Sequence, residues 1–381
     1  MRDKLFKILL ALILLFAAFV RIRAYFFNVP FWDDEITLVN NVLNRGYFGF
    51  LKPLDYTQCA PFGFLVLTKI MITIFGPKEF VFRFFPFLAS ILSVPVFYIL
   101  SKKVLDKKWS ILVANYLFAV NTWLAYYAKE FKQYSIEVLL SMAAVLYLSN
   151  LDLKTLSVKK CIMIGTLFFA MFLFSMPACF VLAAFFIYLV YKNKKDSIKQ
   201  IFFIALPFVL FALPYYLIYL LPSKIMMTAV WYKLWSAGYI KFAPEFLYRF
   251  FSAFFNYSFG VNSNPLAALV LTSCGTLFIF RDKKRINVII LFLFSVAILA
   301  SILKIYPILY RLHLYLTPFV LLIATKVLDK VSFCNFKKGL ASVLVTLLFI
   351  WCFRANCIEQ IKRLLGSEMY YSIVKCENAH R

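Results

Sequence analysis

Residues 61–83 read PFGFLVLTKIMITIFGPKEFVFR, and the fold turns on whether the apolar run Phe62–Phe75 within them crosses a membrane. The run has 14 residues, about 21 Å as a helix against a hydrocarbon core of about 30 Å. Pro61 marks its start and Gly76-Pro77 its end. The runs on either side, Leu5–Tyr25 and Phe80–Leu100, each have 21 residues and are long enough to span.

Working outward, the rest of the 381-residue chain has the same character: 64% hydrophobic, 20% aromatic, with apolar runs repeatedly reaching membrane length. Continuous runs exclude both a soluble globular core and a transmembrane barrel, whose strands would alternate over roughly ten residues. The composition predicts an all-α polytopic membrane protein. The net charge of +25 comes from Lys and Arg scattered in short loops. That is the pattern of membrane topology, with the lipid bilayer as partner and no nucleic acid. The eight cysteines form no Cys-x-x-Cys pair and the only histidines are His313 and His380, which argues against a zinc site. Cys161, Cys179 and Cys274 read as packed in helices. Cys357 and Cys376 are a candidate disulfide if the tail is extracytoplasmic. The phosphate-binding pattern GxxxxGK[ST] is absent.

Six basic segments, Arg2–Lys7, Lys102–Lys108, Lys154–Lys160, Lys192–Lys199, Arg281–Arg285 and Lys326–Lys338, hold 22 of the 42 Lys and Arg residues. By the positive-inside rule they are cytoplasmic. No small-residue cleavage site follows the first run, which reads as an uncleaved helix with its N-terminus inside. An even number of spans must then separate the N-terminus from Lys102–Lys108, so Phe62–Phe75 does not cross and is a re-entrant or interfacial helix. Alternation gives further spans near 109–125, 134–150, 161–175, 177–191, 200–221, 264–280, 286–304, 308–326 and 339–354. The expected organisation is one integral membrane domain over 1–381, with about 11 crossings. A first extracytoplasmic loop spans 27–79, a long outer loop with interfacial aromatics such as Trp231 and Trp235 spans 222–261, and a short outer tail spans 355–381.

On this topology the charged residues of the outer face converge. Phe31-Trp32-Asp33-Asp34-Glu35-Ile36-Thr37-Leu38 places three carboxylates beyond the first span in a chain with only 17 acids, where such groups are costly and usually functional. The plain alternative is a solvated helix start, with Asp33 or Asp34 as cap. Asp34, Thr37, Asn41 and Arg45 recur at helical spacing, as in an amphipathic helix on the membrane surface. In Tyr126–Glu137, the residues Glu130, Gln133, Tyr134 and Glu137 share one helical face, and Glu137 is then an intramembrane acid in need of a partner. Lys132 joins them only if the helix starts after it. Arg311, in Tyr306-Pro307-Ile308-Leu309-Tyr310-Arg311, wants an anion, either Glu137 or a phosphate. Arg83 lies at a similar depth at the start of its own span.

An Asp-Glu after the first helix, a Pro-initiated short helix ending in Phe-Gly, then xxEFxxR, YxxExKxY and YPxxYR before a Pro-containing span together resemble the GT-C glycosyltransferases. The likeness is nearest to bacterial relatives of protein O-mannosyltransferases and of the lipid A aminoarabinose transferase, and it runs from Leu5 to about Pro318. It implies a polyprenyl-phosphate-sugar donor, an extracytoplasmic acceptor (lipid, glycan or protein) and a bacterial cytoplasmic membrane. Asp34 falls on the family's catalytic Asp and Glu35 on its neighbouring acid. Arg83, Lys132 and Arg311 fall on donor-phosphate positions, while Asp33, Gln58, Glu130, Tyr134 and Glu137 are candidates for orienting sugar or acceptor. No cofactor is required, although a divalent metal on Asp34 and Glu35 is compatible with the chemistry. Where relatives carry His-Pro-Pro or Lys-Pro, this chain has Gln58-Cys59-Ala60-Pro61, so a basic contact is missing. The competing expectation is a lipid-linked oligosaccharide flippase, which would set charges along a path across the bilayer and not at one face.

Overall fold

The computed structural model describes residues 3–330 apart from 28, 153–155, 193–197, 231–238, 242, 261–262 and 309. Among the described residues every regular element is helical. The first half contains α1 Asp3–Phe26, α2 Asp33–Asn44, α3 Phe62–Phe75, α4 Glu79–Phe82, α5 Phe84–Val104, α6 Lys108–Val120, α7 Thr122–Tyr126 and α8 Tyr134–Asn150. The second contains α9 Val158–Phe172, α10 Ala178–Tyr191, α11 Ile198–Tyr215, α12 Leu221–Val230, α13 Pro244–Phe259, α14 Pro265–Arg281, α15 Arg285–Ile302 and α16 Thr317–Lys326. Five stretches are long and apolar enough to cross a bilayer: α1, α5, α15, Ile198–Val230 and Tyr310–Asp329. Five shorter apolar helices accompany them, α3, α6, α8, α10 and α14. The all-α polytopic membrane class expected from composition holds.

Polar contacts fix how the helix ends are arranged. At one end Lys326 Nζ reaches Asp106 at 2.8 Å, Asp282 at 2.9 Å and Asp329 at 3.0 Å, and donates to Val104 O at 2.9 Å. Lys284 also pairs with Asp106, Lys108 with Asp3, and Lys103 with Asn150. The N-terminus of α1, the α5–α6 turn, the end of α8, the α14–α15 turn and the end of α16 therefore meet, as charge counting requires of segments on one side. The three carboxylates of α2 lie at the opposite end.

There α2, α3 and the α4 turn build a small layer around Leu38, Val42, Phe64, Leu65, Phe82 and Phe131. The 14-residue α3 has Pro61 as its N-cap and ends at Gly76, whose φ of 81° suits glycine. Lys69 of α3 donates to Val42 O and Leu43 O at 2.8 and 3.0 Å, capping the last carbonyls of α2. The backbone N–H of Gly63 donates to Leu173 O at 2.7 Å, so the short helix is pinned to the α9–α10 turn.

The structure departs from the expected spans in three places. The helix from Ile198 does not stop near 221 but passes through a π-helical turn, Tyr216–Leu220, into α12, while Pro244–Phe259 forms α13, which buries Phe250, Phe254, Phe255 and Phe259. Much of the expected outer loop 222–261 is thus helix; Trp231 and Trp235 fall outside the described residues. Helix 308–326 is not continuous: Tyr310–Leu316 is a 3-10 turn feeding α16, with Tyr310 at φ 52° and Pro318 in the first turn. The span 339–354, the tail 355–381 and Cys357 and Cys376 also lie outside the described residues.

Candidate active site

Asp34 enters the site from the first turn of α2, whose start is defined by Trp32 in an extended conformation. No side chain caps this helix, and Asp33 is its first helical residue, exposed to solvent. The expectation that Asp33 caps α2 is therefore corrected; its charge still complements the helix N-terminus.

Both oxygens of Asp34 are engaged. Oδ1 accepts from Gln58 Nε2 at 2.9 Å, while Oδ2 accepts from Arg311 Nη1 at 2.8 Å and lies 3.1 Å from Lys132 Nζ. Lys132 also donates to Gln58 Oε1 at 2.9 Å, so the amide bridges the acid and the lysine. Arg311 lies over the Tyr134 ring at 5.8 Å. Burial alone would raise the Asp34 pKa, but Arg311, Lys132 and the Gln58 hydrogen bond outweigh it and hold the carboxyl well below the usual range. The pKa of the buried Lys132 is lowered as well, by desolvation against the pull of Asp34.

Lys132 joins the cluster because α8 starts only at Tyr134 and residues 127–133 form turns and bends. This removes Glu130 from the helical face that the sequence assigns to it. Lys132 thus brings a positive charge next to Gln58 from a different segment.

Glu35 and Arg83 form a second unit beneath the first. Arg83 Nε and Nη2 donate to the two oxygens of Glu35 at 2.9 and 2.6 Å, Nη1 donates to Val29 O at 2.5 Å, and the guanidinium lies over Phe31 at 4.7 Å. The side chains are 2% and 0% exposed. Glu35 Oε1 further accepts from the Phe131 N–H at 2.6 Å. The pair fastens α2 to the start of α5 and to the bend carrying Lys132. Every Arg83 donor group is thus committed inside the protein, which sets Arg83 apart from Lys132 and Arg311.

Glu130 is fully buried, with Oε2 accepting from Trp32 Nε1 at 2.5 Å and Oε1 lacking a partner. Burial first, and then the nearby charge of Glu35, push its carboxyl up to about 8. Glu137, in the first turn of α8, is buried with Oε2 unpartnered. It does not meet Arg311, whose anion is Asp34; this settles the alternative left open by the sequence against Glu137.

Asp34 and Glu35 do not fit a shared divalent metal as they stand, because their four oxygens already accept from Gln58, Lys132, Arg311, Arg83 and the Phe131 amide. Among the described residues no group of three or more His, Cys, Asp or Glu converges for a metal. Sequence reasoning missed the role of Trp32, whose position beside the acids was the available signal. It also missed Arg21, fully buried in α1 and donating to Ser90 Oγ at 3.0 Å and Ala17 O at 2.9 Å, since a cation near a helix end reads as a loop residue.

A cleft of about 930 Å³ runs between α13, α14, α15 and α16, apart from Asp34. It follows α15 from Val288 to Ile302 and is walled largely by aliphatic and aromatic side chains, with Ile308 and Leu316 from the segment that carries Arg311.

Residues 60–220 match the family described as dolichyl-phosphate-mannose-protein mannosyltransferase. The match begins two residues after Gln58 and includes Arg83, Glu130, Lys132, Tyr134 and Glu137. No curated protein matches the chain. The crystal structure of the Archaeoglobus fulgidus oligosaccharyltransferase in the apo form has the same fold at TM-score 0.55 and 13% identity, covering 92% of this chain and 55% of that one. The same enzyme's complex with Zn and sulfate matches at TM-score 0.51 and 16% identity, covering 91% and 52%. The chain spans about half the length of those structures. The likeness to the GT-C glycosyltransferases drawn from its ordered motifs holds in family match and in fold.

Proposed function

We propose that the chain is a glycosyltransferase of the GT-C type, a reading supported by the family match over residues 60–220 and by the shared fold, and that it moves a sugar from a polyprenyl-phosphate donor to an extracytoplasmic acceptor with Asp34 as general base. The observation that carries this reading is the convergence on Asp34 of Lys132 and Arg311, two cations from distant segments, at the end of the bundle opposite the basic loops. A carboxylate beside two cations meets both needs of the reaction. It takes a proton from the nucleophile, and the cations hold the phosphate where charge develops as the leaving group departs.

The step balances as a single displacement. An acceptor hydroxyl or amine attacks the anomeric carbon, its proton passes to Asp34, and the bond from that carbon to the phosphate oxygen breaks with its electron pair going to the phosphate. The anomeric centre inverts. Arg311 and Lys132 hold the phosphate. Gln58 orients Asp34 and Lys132, and the Glu35–Arg83 pair positions the elements that carry them, which moves both residues from the chemical roles expected from sequence to a supporting one. Glu130, Tyr134 and Glu137 remain the groups for sugar or acceptor hydroxyls, while Asp33, facing solvent, is left without a part in the step. No step passes through a metal. The apolar cleft along α15 supports the donor class, since it offers about 21 Å of lipid-compatible wall ending near the Arg311 segment.

Purified protein in nanodiscs with labelled polyprenyl-phosphate sugars tests the reading. Wild type should release polyprenyl phosphate, and Asp34→Asn should lose at least about a hundredfold in turnover, the scale of a general base, while remaining folded and donor-bound. Near wild-type turnover by that variant would sink the assignment.

A further inference from the structure

In the protein as it stands, the base proposed above is also the anion that occupies the phosphate site. Arg311 and Lys132, the cations within reach of a donor phosphate, both lie against Asp34 Oδ2, at 2.8 and 3.1 Å. Their side chains are 27% and 6% exposed, against 15% for Asp34, so a ligand approaching the carboxylate meets the same two cations. Among the described residues, these two are the cations paired with Asp34, with neutral Gln58 bonded to both Asp34 and Lys132.

We propose that donor phosphate and the Asp34 carboxylate compete for Arg311 and Lys132, so that binding of the lipid phosphate displaces Asp34 and frees it to accept a proton. The inference rests on the reading of the chain as a polyprenyl-phosphate glycosyltransferase, and it adds how the site is held inactive without donor. Two acceptors cannot both take the best geometry on one guanidinium and one ammonium. A phosphate carries more charge and more acceptor oxygens than a carboxylate, so the exchange favours the ligand. Once relieved of its cations, Asp34 lies in a largely buried setting, which favours its protonated form. Base strength therefore rises only when a leaving group is present, and water is not activated against an empty site.

The backbone beside two of the partners of Asp34 is strained. Tyr56 and Thr57, immediately before Gln58, have φ of 58° and 53°, and Tyr310, immediately before Arg311, has φ of 52°. These are left-handed conformations in residues that rarely adopt them. Three of the four such non-glycine residues among those described thus directly precede Gln58 and Arg311, two of the three side chains that hold Asp34. Strain of this kind persists where the surroundings hold it and is released when they change.

Equilibrium binding of a short-chain prenyl monophosphate to the full-length protein in nanodiscs tests the exchange without turnover. Asp34→Asn removes the internal competitor and should tighten binding about tenfold, the scale of one modest charge interaction. Asp33→Asn makes the same charge change one residue away on an exposed side chain and should leave affinity unchanged. Asp34→Ala, which also removes the carboxylate, gives the same direction and stands in if the Asn variant does not fold. Unchanged or weaker binding in the Asp34 variants overturns the exchange, as does equal tightening in Asp33→Asn. Wild type that binds no prenyl phosphate overturns the donor assignment and the exchange with it, whereas binding without the Asp34 effect leaves the donor assignment standing.

Discussion

Glu130 shows how one residue can be stable only in its uncharged form. It has no exposed surface, its Oε2 is held by Trp32, and its Oε1 lacks a partner. Because the native carboxyl sits near 8, above its free value of 4.5, the folded protein keeps a proton that the unfolded chain has lost across that interval. Stability contributed by the neutral acid is full below 4.5 and falls as pH rises toward about 8. Glu130→Gln keeps the shape and cannot ionise. Its thermal unfolding midpoint is expected to fall less than wild type's over that interval; parallel profiles would refute the assignment. The adjacent Asp34 illustrates what sequence conveys at this scale. Its Asp-Asp-Glu run past the first helix drew attention to three acids, and the resemblance to the GT-C motif picked Asp34 from among them. Its partners were not legible, because Gln58, Lys132 and Arg311 come from segments whose approach depends on where α8 starts and on a 3-10 turn that hydropathy does not reveal.

Among the elements, helix pairs are set by small residues. Gly275 of α14 faces α16 so closely that a Cβ there would lie 1.8 Å from Ile323 O, and Gly165 of α9 faces α11 with 2.1 Å to Ile204 O. Gly275→Ala must push two helices apart and should cost about 1–3 kcal/mol, measurable as a lower unfolding midpoint in detergent, with an unchanged midpoint contradicting the packing. The short α3 was the element most readable in sequence, since Pro61, a run of 14 residues and Gly76 fix both ends. The helix boundaries near 221 and 308 were not. A π-helical turn carries one helix past its expected end, and Tyr310 in a left-handed conformation breaks the other. Neither feature changes the hydrophobic pattern from which spans are read.

Across the molecule, the two ends of the bundle are held by opposite designs: an acid among cations at one, a lysine among acids at the other. Lys326, 1% exposed, gathers carboxylates from three segments, of which Asp329 is itself 2% exposed. Asp329 also accepts from the backbone amides of Asp106 and Lys107, both at 3.0 Å, so the hub holds the α5–α6 turn as well. Lys326→Met leaves Asp329 buried without its cation and is expected to cost about 3–5 kcal/mol, read as loss of folded protein on heating while a more exposed change, Lys284→Met, costs far less. Equal losses would show that the hub is not the fastening point. Charge counting in sequence correctly grouped these basic segments at one end, because loop charge is a local property. It said nothing of which lysine would be buried.

The bond between Asp34 and Arg311 joins residues 277 positions apart in the chain. Translation proceeds from the N-terminus at about 5–20 residues per second, so Asp34 leaves the ribosome roughly 14 to 55 s before Arg311 exists. In that interval Asp34 has, at most, one of its two cations, and the cluster around it is only half made. A nascent chain or one that stops before Tyr310 therefore lacks the Arg311 half of this cation pair, however well its early helices have inserted.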